Sequence, residues 1–171
     1  MSPLVQRAWA MLESVTDPEI PVLSLREMGI LREIRDTNSG LEVVITPTYS
    51  GCPAMAQIED DVRALLAAHA LAAHVLVRLA PAWTTDWLTE SARDKLRDYG
   101  IAPPSGRAEV GPFVGGQVVR LAPRRTVPAR VCCPRCGSDH TTETSHFGST
   151  ACKALYRCLA CLEPFDHFKP H

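Results

Sequence analysis

The sequence predicts an α+β protein built from two unlike parts, a small α/β unit followed by a β-hairpin zinc ribbon. Three observations carry that reading. Apolar residues at helical spacing alternate with β-branched runs through the first hundred residues, and two Cys-x-x-Cys pairs stand in the last forty. Between them, Ala102 to Gly116 crowds Pro103, Pro104, Gly106, Gly111, Pro112, Gly115 and Gly116 together, where no helix survives. The expected division is therefore residues 1–101, a Pro/Gly/Arg-rich linker at 102–130, and a ribbon at 131–171. Charge follows the same division. Residues 1–101 hold nine Lys or Arg against fourteen Asp or Glu, and residues 102–171 hold nine against five.

With 171 residues, 46% apolar and 22% charged, the chain is too rich in core-forming residues for a disordered tail protein. No apolar run approaches the roughly 18 residues a membrane-crossing helix needs. Residues 1–15 carry Arg7 and Glu13 and no unbroken apolar stretch, so no secretory signal is expected and the cytoplasm is the expected location. In that reducing compartment, seven Cys are metal ligands or reactive thiols rather than disulfides.

The elements follow in order. Ser2 can cap and Pro3 can open a helix with Leu4, Ala8, Met11, Leu12 and Val15 on one face, ending near Thr16. Asp17-Pro18-Glu19-Ile20-Pro21 is a turn. Ile30–Asp36 and Leu41–Thr46 are strands joined by a hairpin at Asn38-Ser39-Gly40. A helix with Ile58, Val62, Leu65 and Leu66 on one face comes next, with Pro53 in its first position and Cys52 at its N-cap. A strand at His74–Leu79 and a helix from about Thr89 to Tyr99, stopped by Gly100, complete the unit.

Backbone N–H groups at a helix start favour a thiolate, so Cys52 is a candidate nucleophile or soft-metal ligand. The alternative is a small buried hydrophobe, the usual lot of a free Cys. Gly51 before it permits close backbone approach. Asp17 and Glu19 are candidate acid-base or metal-ligand carboxylates, set against an ordinary turn role. Neither a Ser-His-Asp set, a phosphate-cradling glycine loop nor a dinucleotide fingerprint is present.

In the second part, Cys133-Pro134-Arg135-Cys136 and Cys158-Leu159-Ala160-Cys161 have the spacing of two knuckles that close a tetrahedral thiolate site. Zinc suits that site and would supply the folding energy so small a core lacks; iron in a similar cage is the rival. Thr141–Ser145 and Ala154–Arg157 are the expected hairpin arms, with a third strand at Phe165–Lys169. Cys132 offers a less favourable register with Cys136. Cys152 sits at the far end of the hairpin, as a packing residue or as a thiol for a partner. Arg120, Arg124, Arg125, Arg130 and Arg135 fall in a stretch without acids, but the acidic first part and the absence of a basic-aromatic surface pattern argue against nucleic acid.

Asp17-Pro18-Glu19-Ile20-Pro21, the Thr46–Ala54 segment with Gly51-Cys52-Pro53, and Pro81-Ala82-Trp83 leading to Gly100-Ile101 together resemble the SufT-like iron-sulfur assembly domain over about residues 5–101. Adding the ribbon with Phe147-Gly148-Ser149-Thr150-Ala151-Cys152-Lys153 and Glu163–Lys169, the whole chain resembles the PaaD family, accessory subunits of the phenylacetyl-CoA ring epoxidase system. The resemblance implies a place in aerobic phenylacetate breakdown, where a di-iron oxygenase and an iron-sulfur flavin reductase make the ring epoxide. It places the family's reactive cysteine at Cys52 and an acidic turn at Asp17 and Glu19. The chain lacks helical carboxylate and His sets for a di-iron centre, and a flavin signature, so it is expected to be a maturation factor and not itself the epoxidation catalyst. Zinc at Cys133, Cys136, Cys158 and Cys161 would be structural, and Cys52 would hold iron or a cluster transiently for the reductase or oxygenase. A homodimer, Cys152 or a partner's ligand would complete the shell. Two alternatives remain: a structural subunit of the oxygenase complex, or a thiol-redox protein acting through Cys52.

Overall fold

The computed structural model describes residues 2–104 and 130–170; the expected linker lies, over 105–129, outside the described residues. The Ser2 hydroxyl accepts from the Val5 N–H at 3.3 Å and caps α1 (Pro3–Leu12), which buries Val5, Ala8 and Leu12. The helix stops at Leu12 rather than near Thr16, because Thr16–Asp17 form a short strand, β1, antiparallel to β2 (Ile20–Ser24). The expected turn is there in tighter form: one Asp17 carboxylate oxygen accepts from the N–H groups of Glu19 at 2.7 Å and Ile20 at 2.9 Å, turning the chain back on itself. The strand that follows was hidden by Pro21, yet Ile20 and Leu23 are fully buried.

β3 (Leu31–Thr37) and β4 (Gly40–Ile45) form the expected hairpin. Gly40 has φ +117°, and a Cβ there would lie 2.6 Å from the Ala72 carbonyl oxygen, so only glycine serves. α2 (Met55–Ala68) buries Ile58, Val62 and Leu66 and delivers the chain to β5 (Ala73–Val77), parallel to β4, giving a sheet of order β3-β4-β5. After a single 3-10 turn at Thr85–Trp87 comes α3 (Glu90–Tyr99), capped by the Thr89 hydroxyl and ended by Gly100 at φ +95°, as its sequence requires.

Immediately after Gly100, β6 (Ile101–Ala102) leaves the first part and pairs in parallel with β9 (Pro164–Phe168). With β7 (Thr141–Ser145) and β8 (Lys153–Cys158), the expected hairpin arms, this makes a four-stranded sheet of order β6-β9-β8-β7. The ribbon is therefore sewn to the first part by backbone pairing as well as packing. Cys152 and Phe168 belong to the same apolar core as Leu12, Ile20, Trp83 and Leu96. The Trp83 and Phe168 rings meet edge to face at 6.0 Å, and the Trp83 indole N–H donates to the Met28 carbonyl at 2.9 Å. Among the described residues no helix is long and apolar enough to cross a membrane.

Phe168→Ala empties a fully buried position in that core, and is expected to cost about 3–5 kcal/mol, read as a fall in the denaturant midpoint.

Candidate functional site

Two groups of cysteines stand in opposite surroundings. The first is the tetrad. The Cys133, Cys136, Cys158 and Cys161 sulfurs all lie within 4.8 Å of one another, with Cys133 to Cys161 at 3.8 Å and Cys136 to Cys158 at 3.6 Å. A tetrahedron of zinc–sulfur bonds of about 2.3 Å has edges of roughly 3.8 Å, so these donors fit such an ion closely. Local backbone makes the fit. The Gly137 N–H donates to the Cys133 carbonyl at 2.9 Å with Gly137 at φ +75°, closing the first knuckle, and the Cys161 N–H points at the Cys158 sulfur at 3.5 Å in the second. Amide N–H groups of Cys161 and Ala160 draw the Cys158 thiol down to about 6, the state a metal ligand needs. Cys132 is exposed and outside the tetrad, so the two-residue gap, not the alternative register, sets the ligands. Among the described residues no other set of three or more Cys, His, Asp or Glu offers ligand atoms so close together.

The second group lies at the seam. The structure corrects the expected place of Cys52: α2 starts at Met55, with Ala54 as its cap, and Cys52 sits in the preceding turns. Its N–H donates to the Tyr49 carbonyl at 3.2 Å and its carbonyl accepts from Met55 N–H at 3.3 Å, so residues 49–55 make successive tight turns before the first full helical bond, Ile58 to Ala54. The expectation of a readily ionised thiolate is corrected too. Burial pushes the half-buried thiol up to about 11; the Ala54 N–H opposes this, while Glu19, Asp17 and Cys152 add to it. At neutral pH, with no cation beside it, Cys52 carries its proton.

Asp17 and Glu19 are brought to this thiol, in different roles. Asp17 is buried and committed to its turn; burial raises its pKa, against the two backbone N–H groups and Lys153. Glu19 is freer, and its pKa is raised by burial and by Asp17, against Lys153, Cys152 and Thr150. From the ribbon side, the buried Cys152 thiol donates to a Glu19 carboxylate oxygen at 3.8 Å and stands 3.0 Å from the Thr150 hydroxyl. Burial, then Glu19 and Asp17, raise its pKa as well, against Thr150 and Lys153. Cys152 is thus a packing residue of the core, one of the two roles its sequence position allowed, and its thiol faces an acid of the same chain. Sequence reasoning missed Lys153. Its side chain is almost wholly buried, its ammonium lies 3.8 Å from an Asp166 carboxylate oxygen, and its charge acts on Asp17, Glu19 and Cys152. A lysine at the head of a strand carries no sign that a partner acid waits in another part of the chain.

His146 and His167 of the ribbon serve neither group. His146 is exposed, with Nδ1 3.3 Å from Glu143, and His167 is buried against Tyr156, its pKa pushed down to about 4 by burial. Of the basic stretch, Arg130 pairs with Asp139 at 2.9 Å, and Arg120, Arg124 and Arg125 lie outside the described residues.

An α/β unit carrying a cysteine turn, docked to a four-sulfur ribbon, defines a class that the comparisons bear out. Residues 6–77 match the family described as iron-sulfur cluster assembly protein, and residues 121–169 match the PaaD zinc beta ribbon domain. The chain is 45% identical over 168 residues to an Escherichia coli K12 protein named as a subunit of the "Putative 1,2-phenylacetyl-CoA epoxidase", spanning 98% of this chain and 93% of that one. It belongs to the family of that protein, PaaD. The first part is similar to the crystal structure of a domain of unknown function, DUF59, from Bacillus anthracis, at 27% identity and TM-score 0.50 over 54% of this chain and 91% of that one.

Replacing Cys158 with Ser is expected to remove one equivalent of tightly held metal per chain by elemental analysis and to lower the melting temperature. Alkylation of Cys52 by iodoacetamide is expected to rise about tenfold per pH unit from 7 to 9, since the thiolate fraction below a pKa near 11 grows in that proportion. Glu19→Gln removes a negative charge that opposes ionisation and should speed the reaction at fixed pH, as mass spectrometry of the modified peptide would read.

Proposed function

We propose that this protein is a maturation factor of the phenylacetyl-CoA epoxidase system, working in the cytoplasm, which holds iron or an iron-sulfur cluster at Cys52 and passes it to the reductase or oxygenase of that system. The observation that carries the reading is the convergence of Cys52, Glu19 and Cys152 at the seam, where Glu19 and Asp17 raise the proton affinity of both thiols. Groups that repel one another when ionised bind a cation in place of their protons. The arrangement is more open than the tetrad, with fewer donors within reach of one another, as a site that must release its cargo requires. Asp17 shapes the turn that presents Glu19, and its buried carboxyl adds to the field. In this reading the tetrad holds zinc, whose role is to fold the ribbon and keep Cys152 at the seam. The division into residues 1–101, a linker at 102–130 and a ribbon at 131–171 belongs to the same reading, with Ile101–Ala102 as the stitch between the outer two.

The name of the Escherichia coli relative, as a member of the epoxidase itself, favours a second reading, a permanent structural component of the oxygenase complex. Copurification of all subunits in fixed stoichiometry would support that reading over delivery. The delivery reading is tested by making the epoxidase proteins in cells with Cys52→Ala in place of the native chain. Cluster content of the reductase, or iron content of the oxygenase, is expected to fall severalfold; unchanged content of both overturns it.

A further inference from the structure

The carboxyl ends of β4 and β5 frame a cavity that the delivery reading does not use. These strands run parallel with Ile45 opposite Val77, so Thr46 and Arg78 leave the sheet side by side, the Arg78 N–H donating to the Ile45 carbonyl at 2.8 Å. β3 runs the other way and begins at the same edge, bringing Arg32 there, while Trp87 comes from the 3-10 turn before α3. The cavity they line has a volume of about 170 Å³. That is well below the roughly 300 Å³ at which sites for drug-sized ligands begin, so it suits an ion or one terminal group of a larger molecule. Crevices at the carboxyl ends of parallel strands are where open α/β sheets bind ligands.

Its chemistry is cationic. The Arg32 guanidinium lies over the Trp87 ring, 3.4 Å from its centre, which fixes the plane of the guanidinium and covers one face. Among the described residues no carboxylate comes within ion-pair distance of Arg32, and its hydrogen-bond acceptor there is the Gly29 carbonyl, at a long 3.5 Å. The one acid in the lining, Glu33, is held by Arg35 through both oxygens, at 2.5 and 2.6 Å, and stands 4.0 Å from Arg78. Two arginines and the buried Thr46 thus line the cavity against one acid, whose carboxylate is held by Arg35 and reaches Arg78 only at 4.0 Å. Donor-bearing side chains from three chain segments, β3 and the ends of β4 and β5, suit a tetrahedral oxyanion; a planar carboxylate would fill a single guanidinium fork.

We propose that the Arg32, Arg78, Thr46 and Trp87 cavity binds a phosphate group, either as the free ion or as the end of a phosphate monoester. The proposal stands apart from the role of Cys52. The test uses the full chain labelled with 15N, titrated with inorganic phosphate at constant ionic strength, with the Trp87 indole N–H as the reporter. A saturable shift is expected, with Kd about 1 mM. Arg32→Gln and Arg78→Gln should each weaken it about tenfold, the loss of a charge-assisted contact, while Arg7→Gln on α1 leaves it unchanged. Spectra of the variants that match the native one outside the cavity show that the fold is intact. Adenosine monophosphate in place of phosphate separates the two sources: tighter binding assigns the ester, weaker binding the free ion. No saturable shift, an equal shift in Arg32→Gln, or an equal shift from acetate at the same concentration overturns the proposal.

Discussion

The docking of the ribbon on the first unit is the contact on which the rest of the molecule depends. Phe168 and Cys152 are placed by β8, β9 and the turn before them, yet the core they complete is that of α1, β2 and α3. A ribbon of some forty residues buries too little to hold shape alone, and the first unit would expose an apolar face without it. Each half therefore closes the other, and the parallel β6–β9 pairing sets the register in which they meet. The chemistry at the seam follows from that register: Glu19 comes from one half, Cys152 from the other, and they touch because Phe168 and Trp83 do.

The same element, sulfur, is used in two electrostatic settings. In the tetrad, the N–H groups of Cys161 and Ala160 draw the Cys158 thiol down, and the four sulfurs are gathered at a spacing that suits the coordination tetrahedron of a small, thiophilic dication. At the seam, carboxyls and burial hold the thiols in their protonated form. The first setting suits permanent occupation; the second suits an occupant whose hold depends on competing protons and on what else approaches.

Much of this was legible in the sequence, and for identifiable reasons. Capped helices, the Asn38-Ser39-Gly40 hairpin and the paired Cys-x-x-Cys knuckles are local devices whose residues lie within a few positions of one another, and local chemistry specifies them. β2 was obscured because its second residue is proline, and the start of α2 because Pro53 suits a first helical turn as well as it suits the tight turn it occupies. What could not be read were the contacts between distant segments. The pairing of Cys152 with Glu19 spans 133 positions, and the buried charge of Lys153 is met by acids from two separate stretches, the Asp17–Glu19 turn and Asp166. The same remoteness explains the error over Cys52: burial, reinforced by Glu19, Asp17 and Cys152 from distant segments, outweighs the Ala54 N–H at the start of the helix behind it.

Lys153 gives the seam an internal counterweight. An ammonium almost wholly shielded from water shares the field of Glu19 and Asp17 with anything positive that enters, and its backbone is anchored in β8. It tempers the pull of the acids, setting a ceiling on how firmly a visitor is gripped. In the proposed delivery role such a ceiling is what lets freight leave, for a berth without one becomes a sink.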